Sequence, residues 1–90
     1  MKDLAIIMLT VDKVAKKKFS KLNIKENDLN ILSEIYDFFY NYIYSLTLDI
    51  NAKEKEKIFN KNTINLCFKT YLYQHHQLKI SNELLEKICK

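Results

Sequence analysis

The sequence predicts an all-α domain, and its composition carries that prediction. Glycine and proline are both absent from the 90 residues, so tight hairpin turns lack their usual residue and helices lack their usual breakers. Apolar residues make up 48% of the chain, which is typical of a folded globular domain. A chain of this length suffices for one core of modest size, so residues 1–90 are predicted to form a single domain.

Two helices are predicted in the N-terminal half of the chain. The first spans about 3–19, where apolar side chains recur at helical spacing. The second spans about 27–51 and is the dominant element, with Asn27 or Asp28 as its N-cap. At the helical angle per residue, the apolar residues of this second helix fill a sector about 160° wide.

Two shorter helices are predicted in the C-terminal half of the chain. Residues 52–57 are predicted to be a solvated connection, followed by an apolar pair, Ile58–Phe59, in a loop. A third helix is predicted over about 63–73. The fourth spans about 81–89, where Ser81 is a suitable N-cap.

The wide apolar face of the second helix poses a packing problem. Either the short helices fold over it as a bundle, or a second chain covers it. Tyr36, Tyr40 and Tyr44 widen the apolar face beyond what two short helices are expected to cover, which favours a second chain. The residues predicted to form the dimer interface are Leu32, Ile35, Phe38, Phe39, Tyr42, Ile43, Leu46, Ile50, Ile58, Phe59, Ile64 and Phe68.

This order of elements resembles the histone fold. The stretch "KVAKKKFSKLNI" resembles the end of the first histone helix and the first loop, and "IKENDLNILSEIYDFFYNYI" resembles the entry to the central helix. "KIFNKNTINLCFKTYL" resembles the second loop and third helix, and the tail "YQHHQLKISNELLEKICK" is similar to the extra helix of the histone 2B type. The resemblance implies a heterodimer with a second histone-fold chain, in which Ile58–Phe59 forms a small β-bridge with the partner's first loop.

Lysines are the candidate DNA-binding residues. The formal charge is +4, and all fifteen basic residues are lysine. Lysine is a point charge without the planar fork of arginine, so phosphate contact is expected rather than base reading. The alternative is that the lysines at the end of the first helix are simply solvated. In that case Glu54 and Glu56 partly cancel the charge of the neighbouring Lys57 and Lys61. The histone resemblance implies one DNA-facing edge formed by Lys13, Lys16, Lys17, Lys18, Lys21, Lys25, Lys57 and Lys61.

The predicted function is that of an architectural protein that wraps or compacts double-stranded DNA, as in chromatin and the nucleosome. One alternative is a histone-fold dimerisation subunit of a transcription or centromere complex, which the lack of arginine favours. Another is a small helical inhibitor or immunity protein of a phage or bacterium that folds alone. The expected location is the nucleus or chromosome. A virion or viral factory is expected instead if eleven isoleucines and nine asparagines reflect an AT-rich viral genome.

The sequence contains no pattern that is typical of a catalytic or metal-binding site. Cys67 lies on an apolar stripe and is predicted to be a buried free thiol in a reducing compartment. His75 and His76 diverge by about 100° on a helix, so they do not face one ion and are predicted to be surface or loop residues. No nucleophile and base share a motif, so neither an enzyme nor a cofactor is expected. The segment "LAIIMLTV" is too short to cross a bilayer, and no membrane partner is expected.

Overall fold

A computed structural model of the chain describes residues 3–89. Within this range the chain is all-helical, which confirms the predicted class. The five helices are α1 (Leu4–Phe19), α2 (Leu29–Leu46), α3 (Ala52–Ile58), α4 (Lys61–His76) and α5 (Asn82–Ile88). Residues 1, 2 and 90 of the predicted domain lie outside the described residues.

Polar side chains fix where four of the helices begin. In each case a side-chain oxygen accepts a hydrogen bond from an amide of the first turn, which has no partner inside the helix. The predicted cap at Ser81 is confirmed, whereas the third predicted helix begins at Lys61 rather than at 63. The capping residues and the amides that they bind are Asp3 with Ala5, Asn51 with Glu54, Asn60 with Thr63, and Ser81 with Leu84.

The predicted helix over 27–51 is wrong at its C-terminal end. Helix α2 ends at Leu46, where the hydroxyl and the amide of Thr47 both donate to the carbonyl of Tyr44, at 2.8 and 3.0 Å. These bonds tighten and end the last turn. Residues 52–57, predicted to be a solvated connection, belong to helix α3 because Asn51 caps a new helix.

Helices α1, α2 and α4 pack against one another in pairs and enclose one core, while α5 packs on α2. At the centre, the ring of Phe39 on α2 lies 6.1 Å from that of Phe68 and 5.5 Å from that of Tyr71, both on α4. Val11 and Ala15 of α1 are fully buried beside them. Burying a large apolar side chain stabilises the folded state by about 1.5–3 kcal/mol, so this three-helix contact contributes substantially to stability.

The expectation that flanking helices cannot cover the second helix is wrong for its central apolar residues, although Tyr40 and Tyr44 remain 46% and 42% exposed. Leu32, Ile35 and Ile43 are fully buried within the single chain. Two contacts of neighbouring elements contribute to this burial. Phe68 and Tyr71 of α4 pack against Phe39 of α2. Phe59, the C-cap of α3, also packs on the flank of α2, where its ring lies 5.0 Å from that of Tyr40.

The apolar pair Ile58–Phe59 was expected in a loop that pairs with a partner, and the structure places it elsewhere. Ile58 is the last residue of α3, and its side chain is buried in the core of its own chain. Phe59 is the C-cap of the same helix and packs against that core. Within the single chain, the pair therefore terminates a helix, and residues 3–89 contain no strand.

Candidate nucleic-acid interface

Helix α1 presents three lysines on its solvent side. Lys13, Lys16 and Lys17 are exposed, and at the helical angle per residue they occupy a sector of about 100°. Val11 and Ala15, which are buried, lie on the opposite side of the helix. The three ammonium groups therefore extend away from the core. We call Lys13, Lys16 and Lys17 the lysine stripe.

The other lysines predicted near this end of α1 take different positions. The Nζ atom of Lys18 lies 5.4 Å from the ring centroid of Phe38 on α2, and Lys18 shares a shallow groove with Glu34 and Asp37. Its charge is therefore partly offset by nearby carboxylates. Lys21 and Lys25 are exposed in the loop that follows α1 and extend the basic surface beyond the stripe.

Lys57 and Lys61 do not join this surface within one chain. The end of α1 meets α2 at Phe38, where the rings of Phe19 and Phe38 are 5.4 Å apart. The end of α3, which lies beside Lys57 and Lys61, meets α2 at Tyr40. Positions 38 and 40 point about 200° apart around a helix. The two groups of lysines consequently lie on different sides of α2, and Lys57 also pairs with Glu54 at 3.6 Å.

The residues predicted to form a dimer interface are packed inside the single chain. All twelve belong to the core or pack against it, so a second chain reaches the buried ones only if the helices separate or exchange. Those that are buried are Leu32, Ile35, Phe39, Ile43, Ile58, Ile64 and Phe68. Those that are partly buried are Phe38, Tyr42, Leu46, Ile50 and Phe59.

His75 and His76, which the sequence predicts to be surface or loop residues, make defined side-chain contacts in the structure. Both lie in the last turn of α4 and are partly buried. Atom Nε2 of His75 lies 2.9 and 3.1 Å from the two carboxylate oxygens of Asp12 on α1. Atom Nε2 of His76 lies 3.0 Å from the hydroxyl of Tyr71, which donates to the carbonyl of Ala15 at 3.2 Å. These contacts tie the end of α4 to α1.

The sequence contains a signal for this polar cluster. Ile64, Phe68, Tyr71 and His75 follow one another at intervals of four, three and four residues, which places them on one side of a helix. The core-facing side of α4 therefore ends in His75 rather than in an apolar residue. A partner on α1 could not be assigned from the spacing, because Asp12 is distant in the chain.

Burial shifts the pKa values of three titratable groups in this region, Cys67, Tyr71 and His76. Burial first, and then the charge of Asp12, raise the pKa of the Cys67 thiol to about 11. The same two causes raise the pKa of Tyr71 to about 12. Burial first, and then the neighbouring His75, lower the pKa of His76. At neutral pH the thiol of Cys67 is protonated, so it is a buried apolar-like group rather than a nucleophile.

Metal-binding clusters and membrane-spanning helices are both absent from residues 3–89. In that range no three histidine, cysteine or acidic side chains are grouped so that they could hold a metal ion. No helix of the described residues has both the length and the apolar character needed to cross a membrane. The polar cluster of Asp12, Tyr71, His75 and His76 is accounted for by contacts between α1 and α4.

Comparison with known proteins gives no assignment. No protein family, curated protein or solved structure matches this chain. The candidate site therefore depends on the positions of the lysines alone.

Proposed function

We propose that this protein binds double-stranded DNA through contacts between lysines and phosphates. The observation that carries the proposal is the lysine stripe, in which three exposed ammonium groups share the side of α1 opposite the core. Lys21 and Lys25 extend the surface. Because lysines act as point charges, the binding is sequence-tolerant and salt-dependent. The formal charge of +4 adds a general attraction to nucleic acid.

The histone resemblance extends this proposal. In its fuller form, a second histone-fold chain pairs with this one, and the pair compacts DNA in the nucleus, on a chromosome or in a viral factory. The predicted interface residues already pack within the single chain. Pairing must therefore use the outer surface or exchange helices between the two chains.

A binding assay with a random-sequence duplex tests the role of the stripe. Association is measured at about 50 and about 200 mM salt, because each neutralised phosphate contributes about −0.9 to the slope of log affinity against log salt. Three lysines on phosphates give a contribution of about −3. We expect the variant that combines Lys13→Gln, Lys16→Gln and Lys17→Gln to bind at least about tenfold more weakly at low salt, with a slope shallower by about 2–3.

The matched control removes the same charge elsewhere. A variant with Lys53→Gln, Lys79→Gln and Lys87→Gln changes three exposed lysines outside the stripe and has the same net charge as the stripe variant. It should bind DNA within about twofold of the unaltered protein. Equal weakening in both variants would show only a general attraction by net charge and would contradict a site on α1.

A second candidate function is that of a small helical inhibitor or immunity protein. The observation that favours it is the coverage of α2 by its own chain, as expected for a domain that folds alone. A chain that is monomeric by light scattering and shows no affinity for duplex DNA at low salt would support this candidate over DNA binding.

A further inference from the structure

A groove of about 680 Å³ runs between α4 and residues 79–85. Ile80 and Leu85 line it and are buried. On the α4 side lie Leu66 and Tyr73, which are 52% and 65% exposed. These two are among the most exposed large apolar residues of the described chain. The lysine stripe takes no part in the lining.

The two exposed apolar residues have a regular spacing along the groove. Leu66 and Tyr73 are seven residues apart on α4, so they lie on one side of the helix, separated by about 10 Å along its axis. An amphipathic helix that lies in a groove presents apolar side chains at intervals of three, four and seven residues. The apolar side chains of such a helix would therefore repeat at the same distance that separates Leu66 from Tyr73.

The charged residues that line the groove are both lysines. Lys69 lies on α4, and Lys79 lies in the segment before α5. The Nζ atom of Lys69 is 3.4 Å from the side-chain oxygen of Asn82 across the groove. An occupant with carboxylates beside its apolar residues would place negative charge next to both ammonium groups.

We propose that this groove binds an acidic, amphipathic helix of a partner protein. A second copy of this chain fits less well, because its formal charge of +4 opposes approach to a basic groove. The buried lining is aliphatic at Ile80 and Leu85, and only Tyr73 offers a flat ring. Aliphatic contacts match leucine-like side chains of a peptide better than they match the faces of nucleobases.

The test is a selection from a displayed random library of peptides about 16 residues long, enough for about four helical turns. The selected peptides should be acidic, with apolar residues at helical spacing. Their affinity is then measured for a variant that combines Tyr73→Ala with Lys79→Glu. Both positions are exposed, so we expect the variant to retain the fold. We expect the variant to bind at least about tenfold more weakly.

A matched control combines Leu48→Ala with Lys53→Glu, which are exposed positions outside the groove. This control and the stripe variant should bind the peptides within about twofold of the unaltered protein, whatever the outcome of the DNA assay. The proposal is overturned if no peptide is selected, if the peptides are basic, or if the groove variant binds them unchanged. It is also overturned if a single-stranded oligothymidine of about 12 nucleotides binds with the same dependence on the groove and no peptide does.

Discussion

The hydroxyl of Tyr71 links two helices and takes part in two hydrogen bonds. The side chain is fully buried, and the hydroxyl contacts the carbonyl of Ala15 and Nε2 of His76. A hydroxyl has one proton, so when Tyr71 donates to Ala15, His76 donates to Tyr71. The core thus contains a satisfied polar contact between α1 and α4.

Tyr71→Phe removes that contact without opening a large cavity. We expect the free energy of unfolding to fall by about 1–2 kcal/mol, because buried polar groups lose their partner. Urea unfolding followed by circular dichroism measures the change. Tyr73→Phe is the control, since Tyr73 is exposed and the same atom is removed, and it should change stability by less than about 0.5 kcal/mol. Equal effects at both positions would contradict a structural role for the Tyr71 hydroxyl.

His76 makes the stability of the protein depend on pH. Burial, and then the neighbouring His75, lower the pKa of His76 from its ordinary value of 6.5. The unfolded chain therefore binds a proton more readily than the folded chain as the pH falls through that value. Stability that is present above about pH 6.5 is consequently lost on acidification.

Urea midpoints at about pH 8 and about pH 5 test this dependence. The unaltered protein should lose more stability between the two pH values than the variant His76→Gln, which has no imidazole at that position. The contact of His75 with Asp12 is present in both proteins, so it does not account for a difference between them. An identical loss in the two proteins would contradict the assignment to His76.

At the scale of the element, helix ends were harder to predict than helix faces. Apolar residues continue at near-helical spacing through Leu46 and Ile50, so periodicity alone extends the second helix. The end of α2 depends on the bonds of Thr47 to Tyr44 and on the new cap at Asn51. Such capping contacts compete locally with helix continuation by small free-energy differences, which a pattern of apolar residues does not reveal.

The C-terminal end of α4 contains a residue in an unusual backbone conformation. Gln77 has φ of 52°, in the left-handed region, and its amide and that of Leu78 both donate to the carbonyl of Leu72. Glycine usually occupies such a position, because side chains with a Cβ atom cost about 1 kcal/mol or more there. The lack of glycine in the sequence therefore leaves this end of the helix strained.

Gln77→Gly should raise the free energy of unfolding by up to about 1 kcal/mol. Glycine removes the steric strain at the left-handed position, and this gain exceeds the cost of the conformational entropy that glycine adds to the unfolded chain. Gln74→Gly is the matched control, because it makes the same replacement at an exposed position within α4. It should lower stability by about 0.5–1 kcal/mol. Urea unfolding of both variants measures the two changes. Effects of the same sign would contradict the explanation by backbone conformation.

At the scale of the whole molecule, the lysine stripe and the groove differ in how far the sequence could predict them. Helical spacing by itself places Lys13, Lys16 and Lys17 on one side of α1. The separation of Lys57 and Lys61 from that stripe depends on which side of α2 each neighbouring helix packs. Likewise, the groove beside Tyr73 exists only because residues 79–85 return along α4. Tertiary packing, rather than local pattern, decides both of these features.

The same packing decides the oligomeric state that we expect of the chain alone. Since Leu32, Ile35 and Ile43 are fully buried without a partner, the purified protein should be a monomer by light scattering. Its urea midpoint should not change over about a hundredfold range of protein concentration, because only a folded state that is a dimer gains stability by mass action. A midpoint that rises with concentration would restore pairing as a requirement for folding. A constant midpoint would show that the chain folds without self-association and presents the lysine stripe as a monomer.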